Sequence, residues 1–162
     1  MGAAQVNRFR GNRWVRKGLR AVATGFGIGC IPVAPGTAGT LACLPLWYWT
    51  GAEGPVHYLL LCAVLLLSVP AAREQMSATR EKDPGSVVID EIAGMLLAAT
   101  GIPWSFRHAL ALFLLFRVFD VFKFGPAAWI DAKEGPVYVV ADDLVAGIYA
   151  ALAFRGIAWL TG

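Results

Sequence analysis

Acidic side chains stand at the edges of apolar segments in this 162-residue chain. Asp90 and Glu91 follow the apolar run 87–89, and Asp142 and Asp143 follow a similar run at 139–141. Charges at such positions are costly and usually face a cavity or one another. Gathered in one place, carboxylates repel each other and take up protons unless a cation lies among them. Mg²⁺ prefers such oxygen ligands, so the pattern predicts a magnesium site with five candidate ligands: Asp90, Glu91, Asp120, Asp142 and Asp143.

The two acidic pairs lie in matching segments, VVIDEI and VVADDL, and each is followed by a glycine, Gly94 or Gly147. Taken singly, an acid at a helix start is more often a cap that the helix dipole stabilises. Two matching segments favour two similar helix starts that face one site, and small residues allow the two helices to approach closely. Neighbouring residues on a helix point about 100° apart. We therefore expect one acid of each pair to bind metal and the other to hold a water or a supporting group.

Two further segments contain groups that bind phosphate. Residues 25–40 read GFGIGCIPVAPGTAGT, a density of Gly and Pro that predicts a structured loop. Its amides, with Gly36, Thr37 and Thr40, can hold a phosphate, although a tight turn with a threonine cap fits the same pattern. Arg117 and Lys123 lie three residues on either side of Asp120, on one helix face. They form either an intrahelical ion pair or a clamp for lipid phosphate.

Composition predicts an all-α membrane protein. Hydrophobic residues make up 57% of the chain and charged residues 15%, whereas ordinary soluble domains contain about 25% charged residues. The expected fold is a small polytopic helix bundle, because backbone groups in lipid must be satisfied within each segment. Its N-terminal loop is rich in Gly and Pro and is a candidate for re-entering the membrane. Five apolar stretches are the candidate helices: 37–49, 56–72, 87–102, 108–122 and 139–160.

Basic residues set the expected orientation of these stretches. Arg8, Arg10, Arg13, Arg16, Lys17 and Arg20 crowd the N-terminus without an acid among them. With this end in the cytoplasm and each stretch crossing, the basic links 73–85 and 123–136 are also cytoplasmic, as the positive-inside rule requires. All five acids then lie on the cytoplasmic side. We expect residues 1–22 to form a basic cytoplasmic segment and residues 23–162 a single membrane-embedded domain.

Several classes of function are disfavoured by what the chain lacks. Nothing downstream extends the basic patch, which argues against a nucleic-acid partner. The two histidines, His57 and His108, fall on the expected outer side, away from the acids. This placement argues against a histidine-dependent lipid phosphatase. No CxxxxxR, DxDx[TV] or DGxxAR element is present to indicate other phosphate-transfer families.

Three blocks in order resemble the bacterial phosphatidylglycerophosphatase A family. The first runs from Ala23 to Thr40, the second is DPGSVVIDEIAG from Asp83 to Gly94, and the third runs from Phe116 to Gly147 with FRVFDVFK, Asp131 and DDLVAG. The resemblance spans nearly all of the chain after the basic tail. The chain departs from the family pattern where Phe124 replaces a common proline, where Thr40 replaces a common serine, and in the approach to the final acid pair.

The resemblance implies Mg²⁺-dependent hydrolysis of phosphatidylglycerophosphate to phosphatidylglycerol and phosphate, in the cytoplasmic (inner) membrane of a bacterium and at its cytoplasmic face. The expected catalytic residues are Asp90, Glu91, Asp142 and Asp143, with Asp120 as a further metal ligand. Gly36, Thr37, Thr40, Arg117 and Lys123 are the expected substrate-binding residues. Attack by water and attack by a carboxylate both remain open, as do the number of Mg²⁺ ions and the oligomeric state.

Two other interpretations fit the same residues. A phosphatase for another lipid or polyprenyl phosphate needs the same site, and apolar lipid-facing residues carry little information about head groups. A small ion carrier or channel subunit also combines intramembrane acids with a Gly/Pro-interrupted helix. A conduction path needs polar groups through the whole membrane depth, however, and here the acids stop at one face.

Overall fold

Helices make up all the regular structure that the computed structural model describes, which covers residues 12–161. Residues 1–11, with Arg8 and Arg10, and Gly162 lie outside the described residues. A short 3₁₀ turn at Ile28–Cys30 separates the first two helices. The α-helices are α1 (Arg13–Ala23), α2 (Pro35–Thr50), α3 (Pro55–Thr79), α4 (Ile89–Ala99), α5 (Phe106–Phe122), α6 (Pro126–Asp131) and α7 (Pro136–Thr161). The all-α prediction is confirmed, and the five apolar stretches correspond to α2, α3, α4, α5 and α7.

Proline and left-handed residues set the helix boundaries. Helices α2, α3, α6 and α7 each begin at a proline, which suits the first turn because the missing N–H has no intrahelical partner there. Gly51, Arg80 and Lys123 end α2, α3 and α5 in the left-handed conformation, and each donates its N–H back into the helix. The chain turns sharply at Lys123, and this turn returns it toward α7.

Two helices are long and apolar enough to cross a membrane, judged by length and composition. They are α3 with 25 residues and α7 with 26. A spanning helix needs about 20 apolar residues, and α2, α4 and α5 have 16, 11 and 17.

The structure differs from the expected elements in four places. The basic segment is helical from Arg13, and α6 forms inside the link that was expected to be a loop. The Gly/Pro-rich loop ends at Ala34, since Pro35 already begins α2. The second acidic pair was expected at a helix start, but α7 begins at Pro136, so Asp142 lies about 9 Å along it at 1.5 Å per residue. An N-cap role for Asp142 is therefore wrong.

Helix α1 packs on α3 through a buried carboxylate. Asn12 caps α1 by accepting a hydrogen bond from the Trp14 N–H at 3.1 Å. Glu74 on α3 is only 5% exposed, and its Oε1 accepts hydrogen bonds from Arg16 Nε at 2.9 Å and Arg20 Nη2 at 3.0 Å. The basic segment is thus fixed to the bundle by ion pairs. The predicted boundary at residue 22 falls near the end of this helix and stays a prediction.

Helix α4 lies at the centre of the bundle, packed against α2, α3, α5 and α7. All of its residues except Glu91 and Leu97 are buried. The acids at its N-terminus therefore lie at one end of the core, where the surrounding helices bring their own polar groups.

Neutral hydrogen bonds fasten the opposite end of the bundle. His57 lies between two hydroxyls, with Thr50 Oγ1 3.1 Å from its Nδ1 and Thr100 Oγ1 3.0 Å from its Nε2. Trp47 Nε1 donates to the Ile102 carbonyl at 3.0 Å, and the Gly101 N–H donates to the Ala52 carbonyl at 2.9 Å. His108 Nδ1 is 2.8 Å from the Pro103 carbonyl oxygen, also at this end. The prediction that the histidines lie away from the acids is confirmed.

Candidate active site

Three carboxylates converge where α4 begins and α7 passes. Asp90, Glu91 and Asp143 each present an oxygen, and these oxygens all lie within 4.8 Å of one another. Asp90 is 4% exposed and Asp143 is 6% exposed. In both acidic pairs the first aspartate accepts a hydrogen bond from the next backbone N–H at 3.1 Å, Glu91 in one case and Asp143 in the other. The two matching sequence segments thus share this hydrogen bond, although only the first lies at a helix start.

Glycine allows α4 and α7 to cross close enough for these acids to meet. A Cβ placed on Gly147 would lie 2.3 Å from the Gly94 carbonyl oxygen. A Cβ placed on Gly94 would lie 2.5 Å from the Asp143 carbonyl oxygen and 2.8 Å from the Phe116 ring. Any side chain at either position would force the helices apart. The prediction that these glycines permit close helix approach is confirmed.

The other two predicted metal ligands face cations. Asp142 Oδ2 lies 2.5 Å from Lys123 Nζ, and Asp120 Oδ2 lies 2.6 Å from Arg117 Nη1. Both aspartates line the same cavity as the three converging carboxylates. The structure therefore brings all five predicted acids together but separates them into a group of three and two ion-paired members.

The cavity at the acids has a volume of about 130 Å³. A single water needs about 10–15 Å³ of such space, so the cavity has room for a small anion with water. Lys123 lines it, as do Asp83, Pro84 and Gly85 from the turn before α4. Sequence reasoning placed Asp83 in a recognisable block but did not count it among the site residues. The available signal was the DPG turn seven residues before Asp90.

The first turn of α2 reaches the same carboxylates. A Cβ placed on Gly36 would lie 2.2 Å from Glu91 Oε1 and 3.4 Å from Arg117 Nη1. The N–H groups of Gly36 and Thr37 belong to a first helical turn, which offers them no intrahelical partner, and Pro35 has no N–H. Thr40 is fully buried and its hydroxyl donates to the Gly36 carbonyl at 2.9 Å. Two of the three predicted loop residues thus lie at the helix N-terminus beside the acids, and Thr40 supports that turn from behind.

The glycine-rich segment before α2 supports the start of α4. Its amides from Gly25 to Ile31 donate to nearby backbone carbonyls, so this part of the predicted phosphate loop is occupied with its own hydrogen bonds. A Cβ on Gly29 would lie 2.1 Å from the Ser86 carbonyl oxygen, and one on Gly39 would lie 2.8 Å from Val88 Cβ. Val88 N–H donates to the Ala23 carbonyl at 2.9 Å. The glycines allow the backbone to pack against residues 86–88 and so hold Asp90 and Glu91 in place.

Electrostatics of the group favour a bound cation. Burial, then the neighbouring Asp90 carboxylate, raises the pKa of Glu91 to about 11. Among the described residues, Glu91 Oε2 is buried and has no hydrogen-bond partner. A divalent cation ligated by oxygen would compensate both the burial and the repulsion, and Mg²⁺ binds through carboxylates, water and phosphate. The donor set and the unpartnered oxygen fit Mg²⁺.

A family model for phosphatidylglycerophosphatase A matches residues 21–158 of the chain. The chain belongs to this family. Its members are phosphoric monoester hydrolases, and the chain is an enzyme of that class. The matched range includes all five acids, the α2 N-terminus and both glycines of the helix crossing. The resemblance noted in the sequence is thereby confirmed.

Curated relatives align over most of their length. Phosphatidylglycerophosphatase A of Escherichia coli is 33% identical over 146 residues, covering 87% of this chain and 85% of the relative. The Haemophilus influenzae protein of the same name is 34% identical over 83% of this chain and 85% of its own. A Bacteroides thetaiotaomicron protein with the provisional name phosphatidylinositol-3-phosphatase is 30% identical, covering 87% of this chain and 94% of its own. No solved structure matches the chain.

Proposed function

We propose that this protein is a Mg²⁺-dependent phosphatidylglycerophosphatase that releases the terminal phosphate of phosphatidylglycerophosphate. The observation that carries the proposal is the buried group of Asp90, Glu91 and Asp143 in a cavity that Lys123 also lines. The substrate is taken from the names of the Escherichia coli and Haemophilus influenzae relatives. Binding a phosphomonoester requires a metal cation and positively charged side chains. The three carboxylates are ligands for the cation, and Lys123 is a positively charged side chain in the same cavity.

The three converging carboxylates would hold Mg²⁺. When bound, Mg²⁺ neutralises charge on the phosphoryl oxygens. Lys123 and Arg117 donate hydrogen bonds to the phosphate, and Asp142 and Asp120 hold these two cations in position. The N–H groups of the first turn of α2 add a positive helix end beside the phosphate.

Glu91 is the residue best placed to accept a proton from an attacking water. Its carboxylate has two oxygens, of which Oε1 lies beside Gly36 and Oε2 is buried without a hydrogen-bond partner among the described residues. Glu91 would help to hold the metal, and its carboxylate would orient the water and accept its proton. Attack by an aspartate carboxylate is the competing path. Acid quenching during turnover of ³²P-labelled substrate separates the two, because only carboxylate attack leaves a ³²P-labelled acyl phosphate on the protein, which hydroxylamine then cleaves.

The site end of the bundle is proposed to face the cytoplasm of a bacterium, with α3 and α7 crossing the inner membrane. Basic residues concentrate at this end, in α1 and in the segments around Lys82, Lys123 and Lys133. Cytoplasmic flanks of membrane proteins carry such an excess. Exposed aromatic side chains mark both ends, as expected of residues at membrane interfaces: Trp14 and Trp129 at the site end, and Tyr48, Trp49 and Trp159 at the other.

Phosphate release from phosphatidylglycerophosphate in detergent micelles tests the proposal. The purified protein is assayed with Mg²⁺ and after chelation by EDTA, beside Asp143→Asn and Asp142→Asn. Glu53→Gln is the matched control, because Glu53 is an exposed acid at the opposite end of the bundle. We expect both aspartate variants to lose activity by at least about a hundredfold, typical of losing an electrostatic catalytic group, and the control to retain it. A folded wild-type protein that releases no phosphate would refute the substrate.

A second candidate substrate is a different lipid phosphomonoester. The relative from Bacteroides thetaiotaomicron favours it, since its provisional name refers to a phosphoinositide. The cavity binds only a phosphate and its immediate surroundings, so head-group selection depends on residues around its mouth. Parallel assays with phosphatidic acid and phosphatidylinositol 3-phosphate decide between the substrates by their kcat/KM values.

A further inference from the structure

An apolar groove lies on the side of the bundle between α5, α6 and α7. Phe119, Phe124, Gly125, Tyr149 and Leu152 line it, and its volume is about 280 Å³. Its walls are aromatic: the Phe119 ring centroid is 5.6 Å from that of Tyr149 and 6.1 Å from that of Phe124. Phe124 is 52% exposed and Leu152 is 63% exposed, so the groove is open along its length.

The groove neighbours the acidic cavity along two helices. Phe119 directly precedes Asp120 and Phe124 directly follows Lys123, and both Asp120 and Lys123 line the cavity. On α7, Asp142 lines the cavity while Tyr149 and Leu152 line the groove. At 1.5 Å per residue, these two residues lie about 10 and 15 Å beyond Asp142 along the helix. The groove therefore lies beyond the site, toward the middle of a candidate membrane span.

A second, charged cavity adjoins the acidic cavity. This cavity of about 240 Å³ shares Asp83, Val139 and Asp142 with the acidic cavity, and Lys82, Lys133 and Glu134 also line it. Charged groups of this kind suit water and inorganic phosphate. A lipid that reached the acids from this side would have to draw its chains through a charged passage.

We propose that the groove between α5, α6 and α7 seats an acyl chain of the lipid phosphomonoester while its phosphate occupies the acidic cavity. The proposal rests on the proposed function and adds a path for the substrate. Leu152 lies about 15 Å from Asp142 along α7, which is half of a hydrocarbon core of about 30 Å, so a chain attached to a head group in the acidic cavity can reach the groove. Since lipid surroundings are as apolar as the groove, the groove adds little binding free energy. Its role is to fix the depth and direction from which the head group reaches the carboxylates.

Photo-crosslinking tests the occupant without requiring turnover. The probe is a non-hydrolysable phosphonate analogue of phosphatidic acid with a diazirine on one acyl chain, added to the wild-type protein in phosphatidylcholine vesicles with Mg²⁺ present. We expect adducts in residues 119–125 and 149–152, reduced by excess unlabelled phosphatidic acid and not by phosphatidylcholine. Adducts spread evenly over exposed residues of α3, such as Leu59 and Leu66, would overturn the proposal.

A groove-filling variant tests the consequence for catalysis. Leu152→Trp fills the groove, and Ile148→Trp is the matched control on the same helix, because Ile148 is 46% exposed but does not line the groove. Each is assayed on a long-chain phosphatidylglycerophosphate and on its dihexanoyl analogue. Leu152→Trp should lower kcat/KM for the long-chain lipid by about tenfold to a hundredfold, the range expected when a reactant is misplaced, and change the short-chain value less than twofold.

The controls separate failure of the groove from failure of the proposed function. Equal losses for the two tryptophan variants, or equal losses on both chain lengths, would overturn the acyl-chain seat and leave the phosphatase intact. A wild-type protein that is inactive on every lipid phosphate would refute the proposed function, while the crosslinking pattern would still decide whether the groove holds a chain.

Discussion

Substituting Gly147 by alanine tests whether the α4–α7 crossing positions the carboxylates. The new Cβ would lie 2.3 Å from the Gly94 carbonyl oxygen, and real Cβ atoms essentially never approach another heavy atom within 3.0 Å. The obstacle is backbone, which has no alternative rotamer. The two helices must therefore separate locally by about 0.7 Å or more.

The separation acts directly on the three converging carboxylates, because Asp90 and Glu91 lie on α4 and Asp143 lies on α7. A shift of about 1 Å in a catalytic geometry can lower the rate about a hundredfold. We therefore expect kcat to fall between tenfold and a hundredfold. The size of the loss depends on how far the two helices move apart. Overpacking destabilises by about 1–3 kcal/mol, whereas alanine in place of glycine within a helix stabilises by about 1 kcal/mol. The net loss of stability is about 0–2 kcal/mol.

Gly156→Ala is the matched control, since it lies in the same helix and a Cβ there meets nothing within 4 Å. The assays are phosphate release in micelles and thermal unfolding followed by circular dichroism. The control should keep full activity and unfold at the same or a higher temperature. If Gly147→Ala matched Gly156→Ala in both assays, the close crossing would not be what positions the acids, and the reasoning from glycine contacts would fail.

Three other substitutions have distinct expected outcomes. Gly36→Ala displaces the Glu91 carboxylate, whose Oε1 would be 2.2 Å away, so the Mg²⁺ concentration for half-maximal phosphate release should rise about tenfold with little change in unfolding temperature. Glu74→Gln removes the charge that pairs Arg16 and Arg20; stability measured by urea unfolding should fall by about 1–3 kcal/mol, and an unchanged midpoint would refute it. His57→Ala removes a fully buried side chain with two hydrogen-bond partners. The free energy of unfolding should fall by about 2–4 kcal/mol. Phosphatase activity of the folded fraction, measured at low temperature, should stay the same.

Much of the fold follows from local pattern. The apolar stretches became helices within a few residues of their expected bounds because the signals that end them, such as Gly51 and the prolines at 35 and 55, act locally. Helix α1 was missed because its stability comes from a distant partner: Glu74 lies 54 residues from Arg20. The pairing itself cannot be read from the sequence, but Val15, Leu19 and Val22 follow a helical spacing, and Leu19 and Val22 pack against the core.

The sequence predicts which acids lie together better than it predicts which partner each acid has. The two matching acidic segments indicated one shared site, and Asp90, Glu91 and Asp143 do converge. Which acids pair with cations depends on the directions of the Arg117 and Lys123 side chains. Lys123 is itself the left-handed residue that ends α5, and this backbone conformation directs its side chain. Non-glycine residues adopt that conformation only when the surrounding structure imposes it. The carboxylates of Asp120 and Asp142 were assigned to the metal from their positions at the edges of apolar stretches, and their roles as ligands stay predictions.

The contrast between the two ends of the bundle has a mechanical consequence. Around His57 the helices are joined by neutral hydrogen bonds, whereas at the other end three carboxyl groups meet within 4.8 Å of one another. Local opening starts where cohesion is weakest, so we expect the helices to separate first at the carboxyl groups and to stay joined around His57. The proposed Mg²⁺ site predicts that adding Mg²⁺ protects the amide hydrogens at the start of α4 from exchange more than those near His57.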